Sequence, residues 1–138
     1  MSNNLLYKEI KGYYAKMNLD LVFENKVTFL YGDSGNGKTF LARAISEQDI
    51  VSVYFDYRYL KKEKREVLKD FIKNKTGFLI IIDNADIILD DELRDLIYKD
   101  KNNQFLIIGR DPRGLFLSKY NFVDINKSEN KISFTPRF

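Results

Sequence analysis

The sequence predicts an α/β fold of three layers, with a mostly parallel central sheet and antiparallel strands at the N-terminal and C-terminal ends. Three observations predict it. Strand-like and helix-like hydrophobic periods alternate along the chain, residues 78–82 form an apolar run of strand length, and a glycine-rich segment at 32–39 divides a strand pattern from a helix pattern. With right-handed crossovers, such alternation stacks helices on both faces of one sheet.

The elements follow in order. Leu5, Leu6, Tyr7, Ile10, Tyr13 and Tyr14, then Leu19, Leu21 and Phe23, then Val27, Phe29 and Tyr31 alternate with polar residues, the period of half-buried strands. Glu24-Asn25-Lys26 separates the last two runs without the Asn-Gly of a two-residue hairpin. After Gly37 the spacing changes, and Phe40, Leu41, Ala44 and Ile45 share one helix face. Residues 50–57 are β-branched and aromatic and predict a second buried strand. In the Lys-rich stretch 61–75, Val67, Leu68, Phe71 and Ile72 recur helically while Glu63, Glu66 and Asp70 dilute the charge, so an amphipathic helix is favoured over a nucleic-acid patch. Thr76-Gly77 ends it. Asp90 and Asp91 are N-cap candidates for a helix through Tyr98, residues 105–108 make the next buried strand, and Arg110-Asp111-Pro112-Arg113-Gly114 is a loop. Residues 121–125 and 131–134 are two short terminal strands.

At 138 residues the chain fits one domain, spanning 1–138, against a prior of roughly one per 150 residues. An apolar content of 44% with 11 Phe and 9 Tyr is enough for a core, which argues against disorder. The absence of Cys and His removes disulfides, thiolate nucleophiles, histidine bases and the usual zinc sites, and with them Ser-His-Asp and Cys-His hydrolysis. A net charge of +3 favours no partner class. The apolar runs are far shorter than the roughly 18 residues of a membrane span, and residues 1–10 lack a signal-peptide core, so a cytoplasmic protein without membrane partners is expected.

The chemistry is concentrated at Gly32-Asp33-Ser34-Gly35-Asn36-Gly37-Lys38-Thr39. Glycines allow successive backbone N–H groups to curl around a phosphate, and the following helix start adds partial positive charge and unpaired donors. Lys38 is spaced to reach the outer phosphate oxygens and Thr39 to ligate Mg²⁺. The plain alternative is a glycine-rich turn with an exposed lysine.

On these residues the chain resembles the P-loop NTPases, with 32–39 as the Walker A motif and Phe78-Leu79-Ile80-Ile81-Ile82-Asp83 as a Walker B strand. The resemblance implies a P-loop NTPase fold, an ATP-binding hydrolase with Mg²⁺ as cofactor, Thr39 and Asp83 holding the metal, and Lys38 stabilising charge. One further strand between the two motifs, with 105–108 running between them in the implied sheet, is similar to the branch containing AAA+ and STAND ATPases. Arg110 would then be a γ-phosphate or partner-facing sensor, with a surface arginine as the alternative.

Two departures qualify what the resemblance implies. Hydrolysing AAA+ proteins carry Glu after the Walker B acid, but this chain has Asn84, whose amide orients water without taking its proton. Asp86 would substitute only if the turn brought it to that water. A helical lid also finds no room before Phe138, so a more open cleft is expected, with Tyr13, Tyr14 and Phe134 as candidates for the base and Arg113 for a finger offered to a second copy. Slow or partner-dependent hydrolysis is therefore expected, with a protein partner or homo-oligomer implied. The alternatives are a nucleotide-gated module that binds protein or DNA without significant turnover, and a small-molecule kinase in which Asp56 and Arg58 meet the acceptor. No Asn-Lys-x-Asp motif follows the fourth strand, which favours adenine over guanine.

Overall fold

The computed structural model describes residues 5–32 and 37–138. Its strands are β1 (Glu9–Tyr14), β2 (Met17–Val22), β3 (Val27–Tyr31), β4 (Ser52–Phe55), β5 (Leu79–Ile82), β6 (Gln104–Gly109), β7 (Phe122–Lys127) and β8 (Lys131–Pro136). The helices are α1 (Lys38–Ser46), α2 (Lys62–Asn74), α3 (Ala85–Ile88) and α4 (Asp91–Lys99). All eight strands join one sheet in the order β1-β2-β8-β7-β3-β6-β5-β4.

This sheet corrects the expected three-layer fold with its mostly parallel centre. It is mixed and curls into a half-barrel, and among the described residues it carries only four short α-helices. Strand direction reverses between β7 and β8 and again between β1 and β2. The physical reason lies in the terminal strands. β2 buries alternate residues, Met17, Leu19 and Leu21, so it has a single apolar face to cover. That face closes over α1, and Ile10, Leu19, Leu21 and Ile132 share a core with Leu41, Ala44 and Ile45. The layer beyond α1 is thus the curl of the sheet itself.

The other face of β3, β5 and β6 packs on α2, α3 and α4 through Phe29, Ile80, Ile82, Phe105 and Ile107 against Leu68, Ile72, Ile88, Leu93 and Ile97. β5 and β6 are buried along their whole length, which accounts for their unbroken apolar sequences. Strands β7, β3, β6, β5 and β4 run parallel to one another, with β6 between β3 and β5. Their carboxyl ends therefore open on one side.

Local chemistry fixes the helices. Asp90 caps α4 by accepting the Leu93 N–H at 2.8 Å, with Asp91 and Glu92 in the first turn, where the helix dipole favours anions. At the other end Lys26 donates to the carbonyls of Ile97 (3.1 Å), Tyr98 (3.2 Å) and Asp100. Arg65 of α2 closes α3 by donating to the carbonyls of Ile87 (2.7 Å) and Ile88 (2.9 Å). No helix among the described residues is long and apolar enough to cross a membrane.

Candidate functional site

The carboxyl ends of β3, β6, β5 and β4 gather most of the residues singled out above. Gly32 follows β3 and donates its N–H to the Gly109 carbonyl at 2.8 Å, carrying the β3–β6 ladder one residue further. Its φ of +132° suits glycine, and a Cβ there would lie 3.0 Å from Cε and Nζ of Lys38. The lysine therefore folds back over Gly32, and it is only 8% exposed. Gly37, at φ +90°, turns the chain into α1, and its carbonyl accepts the Leu41 N–H at 2.9 Å. Asp33, Ser34, Gly35 and Asn36 lie outside the described residues.

Thr39, in the first turn of α1, lines a cavity of about 480 Å³ together with Arg43, Tyr54, Asp56, Tyr57, Arg58, Asp83 and Asn84. That volume lies within the range of about 300–1,000 Å³ usual for small-molecule sites. Asp83, one residue beyond β5, is 2% exposed. One of its oxygens accepts the Tyr54 hydroxyl at 3.0 Å, and the other accepts the Asn84 N–H at 2.8 Å. Burial, followed by the neighbouring Asp83 carboxylate, pushes the Tyr54 phenol well above its ordinary value, so it remains a donor to Asp83. Asp56 caps a short 3-10 turn by accepting the Arg58 N–H at 3.1 Å and holds its guanidinium at 2.8 Å. Asn84 adopts a left-handed conformation, φ +54°, which turns the chain from β5 into α3.

Asp86 serves the neighbouring loop. Its carboxylate accepts the N–H groups of Arg110 and Asp111, the latter at 2.8 Å, directly beneath Gly109. Arg110 is exposed at the end of β6. Lys38, Asp86 and Arg110 are not among the described residues that line the cavity. Arg113 stands 3.9 Å from the Asp111 carboxylate with its side chain mostly exposed. Of the candidates for the base, Tyr14 packs on Phe40 (5.3 Å) and Phe134 on Phe23 (5.4 Å), while Tyr13 is exposed.

Three cavity-lining residues escaped the sequence: Arg43, Tyr54 and Tyr57. Ser52, Tyr54 and Asp56 alternate with Val53 and Phe55 along β4 and one residue past it, a period-two polar pattern that ends at the carboxyl end of a parallel strand, and that was the available signal. Arg94, 2% exposed on α4, donates to the carbonyls of Leu89 (3.2 Å), Asp111 (2.8 Å) and Arg113 (2.6 Å) and so ties the loop after β6 to the helix layer.

Chemically the cavity offers the hydroxyls of Thr39, Tyr54 and Tyr57 and the carboxylates of Asp56 and Asp83, of which the Thr39 hydroxyl and the carboxylates are hard oxygen donors that suit Mg²⁺, with arginines able to face anionic oxygen. Comparison with protein-family models, with curated proteins and with solved structures finds no match.

Proposed function

We propose that this chain binds a nucleoside triphosphate, with adenine favoured, together with Mg²⁺, and that it hydrolyses it slowly or only with a partner. The observation that supports this reading is the meeting of two motifs distant in sequence. Thr39, beside the buried Lys38 at the start of α1, lines the same cavity as the buried Asp83 after β5. A hydroxyl and a carboxylate facing one cavity fit a cation that keeps several waters and takes its remaining ligands from phosphate. When bound, Mg²⁺ supplies charge neutralisation to the phosphates.

The chain's own residues would divide the remaining work. Lys38 would meet outer phosphate oxygens as a point charge, and the α1 amides would donate to them. Thr39 and Asp83 would orient the hydrated cation. Asn84 would hydrogen-bond an attacking water without removing its proton. Because Asp86 already accepts the Arg110 and Asp111 amides, it is engaged as a support for the loop, which is why turnover is expected to be slow.

The same support favours one second reading, a nucleotide-gated binding module. The Asp86 contact joins the segment after Asp83 to the loop after β6, so occupancy of the site would be felt at an exposed loop. Calorimetric titration with ATP and GTP, with and without Mg²⁺, tests the proposal. Saturable, Mg²⁺-enhanced ATP binding that weakens about 10- to 100-fold in Lys38→Ala is expected, the loss of a hydrogen-bonded charge. Identical behaviour of wild type and variant overturns it. Turnover measured without a partner separates the two readings.

A further inference from the structure

We infer that Tyr54 is a positioning residue whose hydroxyl fixes the Asp83 carboxylate in the orientation from which it meets hydrated Mg²⁺ on a bound nucleotide. The inference rests on the nucleotide reading and goes beyond it by assigning a role to a residue on β4, outside both motifs.

The geometry carries it. A carboxylate at the end of a strand turns freely about its last bond unless both oxygens are held. At Asp83 both are held: the Asn84 N–H takes one at 2.8 Å and the Tyr54 hydroxyl the other at 3.0 Å. Each oxygen retains acceptor capacity, and both residues line the same cavity as Thr39. Tyr54 reaches Asp83 because β4 and β5 are parallel neighbours in register, Tyr54 opposite Ile81 and Phe55 opposite Ile82, which leaves the phenol level with the end of β5. The Asp83 N–H, bonded to the Phe55 carbonyl at 2.8 Å, extends that ladder and fixes the backbone beneath the pair. Groups that hold a metal-facing carboxylate in place typically change metal affinity about 10- to 100-fold when removed.

Tyr54→Phe keeps the ring and its packing and removes only the donor. The test is calorimetry of ATP binding at zero and saturating Mg²⁺ for wild type, Tyr54→Phe and Asp83→Asn, with thermal melts of all three. The expected result is unchanged Mg²⁺-free affinity in Tyr54→Phe and a Mg²⁺ enhancement reduced about ten-fold, with Asp83→Asn losing the enhancement as well. A Tyr54→Phe protein that keeps the wild-type enhancement overturns the inference and leaves the nucleotide reading standing. Equal losses with and without Mg²⁺ reveal a merely structural tyrosine and overturn it too. If Tyr54→Phe does not fold, an undiminished enhancement in Asp83→Asn overturns it independently. Wild-type protein without Mg²⁺-linked binding removes both readings together.

Discussion

Both carboxylate oxygens of Asp86 accept the backbone N–H of Arg110, at 2.9 and 3.0 Å. The Asp111 N–H joins them at 2.8 Å, so one side chain on α3 organises the first turn of the loop after β6. A Cβ on Gly109 would sit 2.7 Å from an Asp86 oxygen, so the close approach depends on glycine. Asp86→Ala should lower stability by about 1–2 kcal/mol, the low end for hydrogen bonds to a charged group because the freed amides can reach water. Gly109→Ala should produce a loss of the same sign by displacing the carboxylate. Thermal unfolding checks both. Turnover that collapses in Asp86→Asn while stability is unchanged would instead mark Asp86 as a catalytic base.

Arg94 holds that loop from below. Replacing it with Met preserves bulk but leaves the buried carbonyl of Leu89 and the partly buried carbonyls of Asp111 and Arg113 without their donor. A loss of about 3 kcal/mol is expected. Denaturant unfolding measures it, and protease sensitivity at residues 111–113 should rise in the variant. A variant with a wild-type midpoint would show the three contacts to be dispensable.

The acid limb of stability should depend on Asp90. Burial alone would raise its carboxyl, but the Leu93 amide and the Lys69 ammonium outweigh burial and hold it below the ordinary 3.8. The folded state therefore binds this proton less readily than the unfolded chain. The stabilisation is fully present above about pH 4 and is lost as pH falls through the depressed folded value. Lys69 is shifted upward, chiefly by its bond to Glu92 at 2.6 Å, against burial and with help from Asp90 at 3.0 Å. Its contribution is complete below the ordinary lysine value of 10.5 and fades only in stronger alkali. Melting temperatures of wild type and Asp90→Asn should converge as pH drops from 5 to 2, since Asn keeps the cap and gives up the charge. A constant gap across that range would refute the assignment.

How much of this was legible in the sequence follows from how local each signal is. Asp90 as a cap, the buried run ending at Asp83 and the strand-to-helix change at Gly37 depend on neighbours a few residues apart, and all are found in place. The curl of the sheet is not local. β2 leaves β1 through a two-residue turn, pairs with β8 more than a hundred residues later, and stands apart from β3, which follows it in sequence. Period-two alternation says that β2 has one wet face and is silent on what covers the other. Tyr54 was hidden for a related reason, because its meaning comes from Asp83 across a strand pairing. The Lys38–Thr39 pair needed no partner to be noticed.

The β1–β2 turn was illegible because its residues are unusual. Ala15 and Lys16 take φ of +48° and +68°, a geometry that Asn-Gly adopts without strain and that costs an ordinary L-residue about 1 kcal/mol or more. Lys16→Gly should therefore raise stability by about 1 kcal/mol, visible as a higher thermal midpoint. An unchanged or lower midpoint would show that the turn is relaxed as it stands.

Asn84 makes the same argument at the candidate site, where it touches function. At φ +54° it occupies the left-handed region, which Asn tolerates and longer side chains disfavour. The residue type that would supply a proton-accepting carboxylate after Asp83 is thus the type that this backbone accepts poorly. Asn84→Gly should fold with stability near wild type, whereas Asn84→Glu should lose about 1 kcal/mol. If slow turnover reflects only the missing carboxylate, Asn84→Glu should speed ATP hydrolysis despite that loss. If the backbone aims the side chain away from the water, the rate stays at the wild-type level while the melting temperature falls. Asn84 lines the cavity beside Asp83, so the first outcome is expected, and parallel melts and turnover assays on the two variants decide it.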